Sequence, residues 1–168
     1  ATAPAVFSAA LLGLLSEKRI ARDGVYLTLP GHRAVFSDAD SALWEKVEPM
    51  LSEHGLRPPR VLEIAEEVGL DGRATERFLA RMARAGMVAR VADNRFFLPE
   101  TLLELALIAE DMVKTAPDGS FSAGAYNKRS GLGRNLAIQL LEFFDKRGFS
   151  QRSGEGRKLI AGAREIFG

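Results

Sequence analysis

YNKRSGLGRNLAIQLLEFFDKRGFSQR, residues Tyr126–Arg152, is the stretch that decides how the rest of the chain is read. It opens with a short basic helical segment, Tyr126–Arg129, and passes through Ser130-Gly131-Leu132-Gly133 as a turn. Apolar residues at helical spacing then predict a longer helix over about 134–147, facing Ala137, Ile138, Leu140, Leu141 and Phe144 inward. Gly148 stops that helix and Phe149 begins a strand. Helix, glycine turn and second helix is the outline of a helix-turn-helix. Phe149–Arg152 and Arg157–Ile160, flanking Ser153–Gly156, add a hairpin wing.

Sliding the chain on itself by 62 residues repeats this pattern. Gly69-Leu70 falls on Gly131-Leu132, Phe78-Leu79 on Leu140-Leu141, Met82 on Phe144, and Gly86-Met87 on Gly148-Phe149. Turn glycines and core positions coincide together without a gap, which is the signature of an internal repeat. The upstream copy takes Ser37 as N-cap of a first helix to about Glu53, with Leu43, Trp44, Val47, Met50 and Leu51 inward and Pro49 as a kink or boundary. A second helix over Val61–Val68 turns Leu62, Ile64, Ala65 and Val68 inward, a third covers Arg73–Ala85, and a wing surrounds Ala92–Arg95. The last copy begins with a helix over Glu100–Thr115 and a second one over Ser122–Arg129. Further upstream, a helix over Ser8–Lys18 and a hairpin around Arg22-Asp23-Gly24 are the back half of a winged helix whose first helices are missing. The expected fold is therefore mainly α with small β-hairpins, in tandem winged-helix domains. Residues 1–36 are the remnant of a preceding winged helix with its linker, 37–99 a winged helix and 100–168 a second winged helix. The missing helices lead to the expectation that the sequence is a piece of a longer chain.

Composition narrows the function. Cysteine is absent and only His32 and His54 are present, so thiolate or histidine metal centres and disulfides are excluded or improbable. No apolar run is long enough to span a bilayer, and no phosphate-binding glycine loop or metal-ligand spacing occurs. The expectation is a non-enzymatic, monomeric, cytoplasmic piece without cofactor, metal or membrane contact. The net charge of +1 hides an asymmetry: residues 1–36 carry four Lys/Arg against two Asp/Glu, residues 37–119 ten against sixteen, and residues 120–168 nine against four. A polyanion is drawn to the last third and repelled by the middle. The repeat localises the difference, since Glu66-Glu67 become Lys128-Arg129 and Asp71 becomes Gly133. The scaffold is shared and the acidic face is replaced by a basic one.

Candidate nucleic-acid contacts are thus Lys128, Arg129, Gly131, Leu132, Gly133, Arg134 and Asn135 at the turn, with Arg152, Arg157 and Lys158 on the wing. Arg134 can fork onto phosphate or guanine, and Asn135 can pair with a base edge. Each charge read alone is a solvated helix face, and Gly131, shared with Gly69, is a tight turn. Phe143, next to the core residue Phe144, is expected to be partly buried against the wing rather than to stack on bases. Three readings compete: a hairpin-RNA binder, a winged-helix transcription regulator on duplex DNA, and a protein-binding tandem winged helix.

Residues 37–160 resemble the C-terminal winged-helix repeats of the bacterial selenocysteine-specific elongation factor. The resemblance lies in Gly131-Leu132-Gly133-Arg134, Ala137-Ile138-Gln139, Leu141-Glu142-Phe143-Phe144-Asp145-Lys146-Arg147-Gly148-Phe149 and Arg152-Ser153-Gly154. Leu29-Pro30-Gly31-His32, Leu43-Trp44 and Asn94-Arg95-Phe96-Phe97 agree less strictly. Asn135 departs from the basic residue expected after Arg134. The resemblance implies a translation factor whose last winged helix binds an mRNA stem-loop beside an in-frame UGA codon. It implies that Lys128, Arg129, Gly131, Leu132, Gly133, Arg134 and Arg152 make the contacts. It also implies that GTP and Mg, the ribosome and selenocysteinyl-tRNA are engaged through the full-length protein, GTP and Mg by an N-terminal part absent here.

Overall fold

A computed structural model describes residues 12–17, 19–23, 26–28 and 36–168. Residues 12–16 are helical (α1), and β1 (Ala21–Asp23) pairs antiparallel with β2 (Tyr26–Thr28). The expected start at Ser8, the Asp-Gly turn and the linker Pro30–Arg33 lie wholly or partly outside the described residues.

From Ser37 onward the same unit is built twice. The first contains α2 (Asp38–Glu53), α3 (Val61–Val68), α4 (Gly72–Arg84), β3 (Ala89–Ala92) and β4 (Arg95–Phe97). The second contains α5 (Pro99–Thr115), α6 (Ala123–Ser130), α7 (Arg134–Lys146), β5 (Ser150–Ser153) and β6 (Gly156–Leu159), and a terminal α8 (Ala163–Phe167) follows. Both ends of α3 and α6, and of α4 and α7, are offset by the 62 residues read from the sequence. Local chemistry sets these boundaries. Ser37 accepts a bond from the Asp40 amide to start α2, Ser122 does the same for α6 through Ala125, and Pro99 stands in the first turn of α5. Gly69 and Gly131 close α3 and α6 in the left-handed region, at φ +72° and +68°. Pro49 neither ends α2 nor marks a boundary, because the helix runs through it to Glu53.

Each unit has its own core. Trp44, Val47, Leu51, Ile64, Phe78, Leu79 and Met82 fill the first, and Leu102, Leu105, Tyr126, Leu140, Leu141, Phe144 and Phe149 the second. The β3–β4 hairpin joins them. Alternate strand residues face opposite sides, so Val88, Phe96 and Leu98 enter the first core while the cross-strand pair Ala89 and Phe97 enters the second. The wing of the first unit is thereby a wall shared by both, and α7 packs against β3.

Three core assignments differ from the sequence reading. Leu62 is 65% exposed and Ile138 37% exposed, because each sits at the edge of its helix's apolar stripe, while Leu136 is buried instead. Phe143 and Phe144 are both buried. Phe144 fills the core, and Phe143 stacks on Phe167 of α8 with a ring separation of 6.4 Å. The short tail expected at Gly162–Phe167 is thus a helix that closes the second core.

Candidate nucleic-acid interface

The turn between α6 and α7 is rigid on its inner side and open on its outer one. The Gly131 amide donates to the Asn127 carbonyl, the Ser130 hydroxyl to the Tyr126 carbonyl, and Leu132 is buried beneath. The Tyr126 hydroxyl donates to the Leu105 carbonyl inside the core, and burial raises its pKa far above the ordinary phenol range. Gly133 then starts α7 at φ +85°, with no side chain accepting from the helix's first amides and no acidic residue in its first turn. Arg134 and Asn135 stand exposed there. The equivalent end of α4 is closed, since the Asp71 carboxylate accepts from the Ala74 amide at 2.9 Å. Unpaired amides and the positive end of the helix dipole therefore stand beside Arg134 in the last unit only.

Sequence reasoning placed four polar residues on one turn, and the structure divides them. Arg134 and Asn135 border a cleft of about 460 Å³ with Leu132, Gly133, Leu136 and Gln139. Lys128 and Arg129 instead line a groove between α5 and α6 with Asp111 and Thr115. Arg129 is ion-paired to Asp111 at 2.8 Å, and both cations sit in the last turn of α6, where they also suit the helix dipole. On the wing, Arg152 and Lys158 are exposed and make no ion pair among the described residues.

Arg157 departs from the expectation. It is 5% exposed; its Nε donates to Asp145 at 3.1 Å, and its backbone pairs with Phe121 in both directions. Asp145 also accepts from the Ser150 hydroxyl at 2.6 Å. Arg157 therefore fastens the wing to α7 and to the segment before α6, and presents no charge to a ligand. The repeat contained the signal, because Arg95 occupies the equivalent position and is also buried, donating to the Pro58 carbonyl.

The opposite wall of the cleft was not foreseen. Arg57, Arg60, Asn94 and Arg95 of the first unit line it. The Arg95 guanidinium loses proton affinity mainly through burial, with repulsion from Arg60 and Arg57 acting against attraction by Glu63. Beyond the cleft, the outer face of α7 is bordered by the first wing: Gln139, Glu142, Phe143 and Lys146 lie alongside Arg90–Asp93. Among the described residues no group of His, Cys, Asp and Glu is arranged to hold a metal, and no helix is long and apolar enough to cross a membrane.

Two winged helices that share the first one's wing as a wall, with an open basic turn in the second, define the chain as a tandem winged-helix protein. A model of the elongation factor SelB winged helix matches residues 115–159. The chain is 34% identical over 134 residues to the selenocysteine-specific elongation factor of Escherichia coli, and 25% identical over 146 residues to that of Haemophilus influenzae. These alignments cover 80% and 87% of the chain but 21% and 23% of the two relatives, so the chain spans about a fifth of their length. The mRNA-binding domain of E. coli SelB, solved in complex with SECIS RNA, superposes with a TM-score of 0.67 at 33% identity, over 75% of this chain and all of that one. A bacterial EF-Sec structure shares the fold at 19% identity and a TM-score of 0.60, over 87% of this chain and 22% of that one. The chain belongs to the C-terminal winged-helix family of the bacterial selenocysteine-specific elongation factor.

Proposed function

We propose that the chain binds an mRNA stem-loop and is the mRNA-anchoring end of a selenocysteine-specific translation elongation factor, holding that factor beside an in-frame UGA codon. The observation that carries the reading is the open first turn of α7, uncapped and free of carboxylates beside Arg134 and Asn135. Phosphate oxygens suit the free amides and the arginine fork, and an unpaired base suits the donor and acceptor of Asn135. The E. coli domain, solved with SECIS RNA, supports RNA as the ligand class. Arg152 extends the contact along the wing, and Lys128 and Arg129 supply longer-range attraction from the α6 groove. The GTPase chemistry, with Mg, and the contacts to ribosome and selenocysteinyl-tRNA belong to the rest of the factor in the cytoplasm, and this piece contributes binding as a monomer.

Duplex DNA fits this geometry less well. A recognition helix in a major groove sets its N-terminal residues on base edges and brings its flanking surface against the phosphates of both strands. Here β3 and its turn border the outer face of α7, where the exposed Glu142 and Asp93 would set carboxylates against a duplex beyond the first turn. The test compares a short RNA stem-loop, its bulge-deleted variant and a matched DNA duplex by filter binding. The stem-loop should bind tightest, and Arg134→Ala should weaken it by about 10-fold or more, the effect of losing a charge-assisted bond. Unchanged stem-loop affinity in that variant would refute the assignment.

A further inference from the structure

The cleft beside Arg134 is built by both winged helices. Four arginines line it, Arg57, Arg60 and Arg95 from the first unit and Arg134 from the second, and no carboxylate does. Arg57 and Arg60 are exposed and form no ion pair among the described residues. Two buried prolines, Pro58 and Pro59, separate them and hold their backbone stiff. The Arg95 side chain, 7% exposed, is tied to the Pro58 carbonyl between them. Glu63, which lines the adjoining pocket with Arg57, Arg60 and Arg95, accepts from the Arg60 backbone amide at 2.5 Å. Like charges gathered on a stiff frame repel one another until an anion arrives; burial dominates at Arg95, and Arg60 and Arg57 repel it against the larger attraction of Glu63.

We infer that this cleft is a second backbone-phosphate site, where the first winged helix grips the same RNA that the α7 turn engages. The inference rests on the proposed RNA-binding function and deepens it. An RNA stem whose loop reaches Arg134 and Asn135 carries its phosphates past the opposite wall, where arginine forks match phosphate oxygens. The first unit is then a working half of the interface rather than a spacer.

The test uses the whole chain and the tightest-binding stem-loop from an RNA pool with randomised loops. Affinity is measured against salt for the unmodified chain and for Arg57→Ala/Arg60→Ala, Arg73→Ala/Arg77→Ala and Arg134→Ala. Arg73 and Arg77 are exposed on α4 at the positions equivalent to Asn135 and Gln139, and they do not line the cleft. The cleft pair should weaken binding by about 10-fold and flatten the salt dependence by roughly one to two units of slope, near one per phosphate released. Melting curves should stay unchanged, and Arg57→Lys/Arg60→Lys should keep the slope. The α4 pair should stay within about twofold. If the cleft pair changes neither affinity nor slope while Arg134→Ala weakens binding, the cleft site is wrong and the RNA-binding reading stands. If the α4 pair lowers both as much as the cleft pair does, attraction is diffuse and the cleft is not a site. If no stem-loop outcompetes a DNA duplex, both readings fall.

Discussion

The two winged helices use one scaffold and differ at the turn that precedes the third helix. In the first unit, Asp71 caps α4, and Leu62 lies so close that a Cβ on Gly72 would come within 2.7 Å of its Cδ2. In the second, Gly124 takes the place of Leu62 and Arg134 the place of Gly72. A side chain leaves the backbone freely at Arg134, whereas in the first unit the exposed end of Leu62 would have to turn aside for one. Gly133 replaces the capping carboxylate with nothing, at a φ of +85° that a residue with a Cβ rarely adopts. The second unit thus gives up its cap and exposes its helix end, as expected of a ligand site rather than of a stabilised fold.

Exchanging the two turns tests this contrast most severely. Gly133→Asp restores a carboxylate at the open end of α7 and places it where phosphate would sit. Repulsion across an interface costs several kcal/mol, so stem-loop affinity should fall by about 100-fold or more, and by clearly less in Gly133→Ala, which carries the backbone strain at φ +85° without the charge. The reciprocal Asp71→Ala should leave RNA affinity untouched and cost about 1 kcal/mol in urea unfolding, the usual loss for a helix cap. If Gly133→Asp binds like the parent, the open helix end is not the site.

The second contrast lies within one wing, between Arg152 and Arg157. Arg157 is interior and paired with Asp145, whose side chain is 24% exposed. Arg157→Ala leaves the Asp145 carboxylate with only the Ser150 hydroxyl and should cost about 2 kcal/mol, less than a fully buried pair because Asp145 still reaches water. Arg152→Ala should be neutral in stability and weaken binding only a few-fold, with the salt slope reduced by about one phosphate. Chemical denaturation and filter binding should thus respond to different arginines. Stability loss at Arg152 without a binding effect would reverse the assignment.

What the sequence could reveal follows from where the information sits. The helices around both turns were legible almost to the residue, because Gly69, Gly131, Gly86 and Gly148 stop helices by local backbone chemistry. The open turn at Gly133-Arg134-Asn135 was legible through the comparison with Asp71. The opposite wall was not: Arg57, Arg60 and Arg95 reach it only because Ala89 and Phe97 turn the first wing toward the second core. Nothing local to Arg57-Pro58-Pro59-Arg60 distinguishes a cleft wall from a stiff connection. Leu62 and Ile138 were misplaced for a related reason, since periodicity places a residue on a stripe but not at its edge. Phe143 needed Phe167, which is distant in sequence.

The smallest effect separates the two cores. Ile64 of the first unit becomes Tyr126 in the second, and its hydroxyl donates to the Leu105 carbonyl behind the open turn. Tyr126→Phe removes a buried hydrogen bond and should cost about 1 kcal/mol near neutral pH. It should also change the response to alkali. Burial raises the folded-state pKa of Tyr126 above that of an unfolded tyrosine, so the protonated form is favoured by folding. That stability is fully present below the unfolded value of about 10 and is lost as pH rises above it. Urea unfolding from neutral pH to beyond about 10 should therefore show the parent losing its advantage over Tyr126→Phe, so that the two curves converge and then cross. Parallel curves would mean that Tyr126 ionises as freely in the folded chain as in the unfolded one, and that the turn is not held from within by this bond.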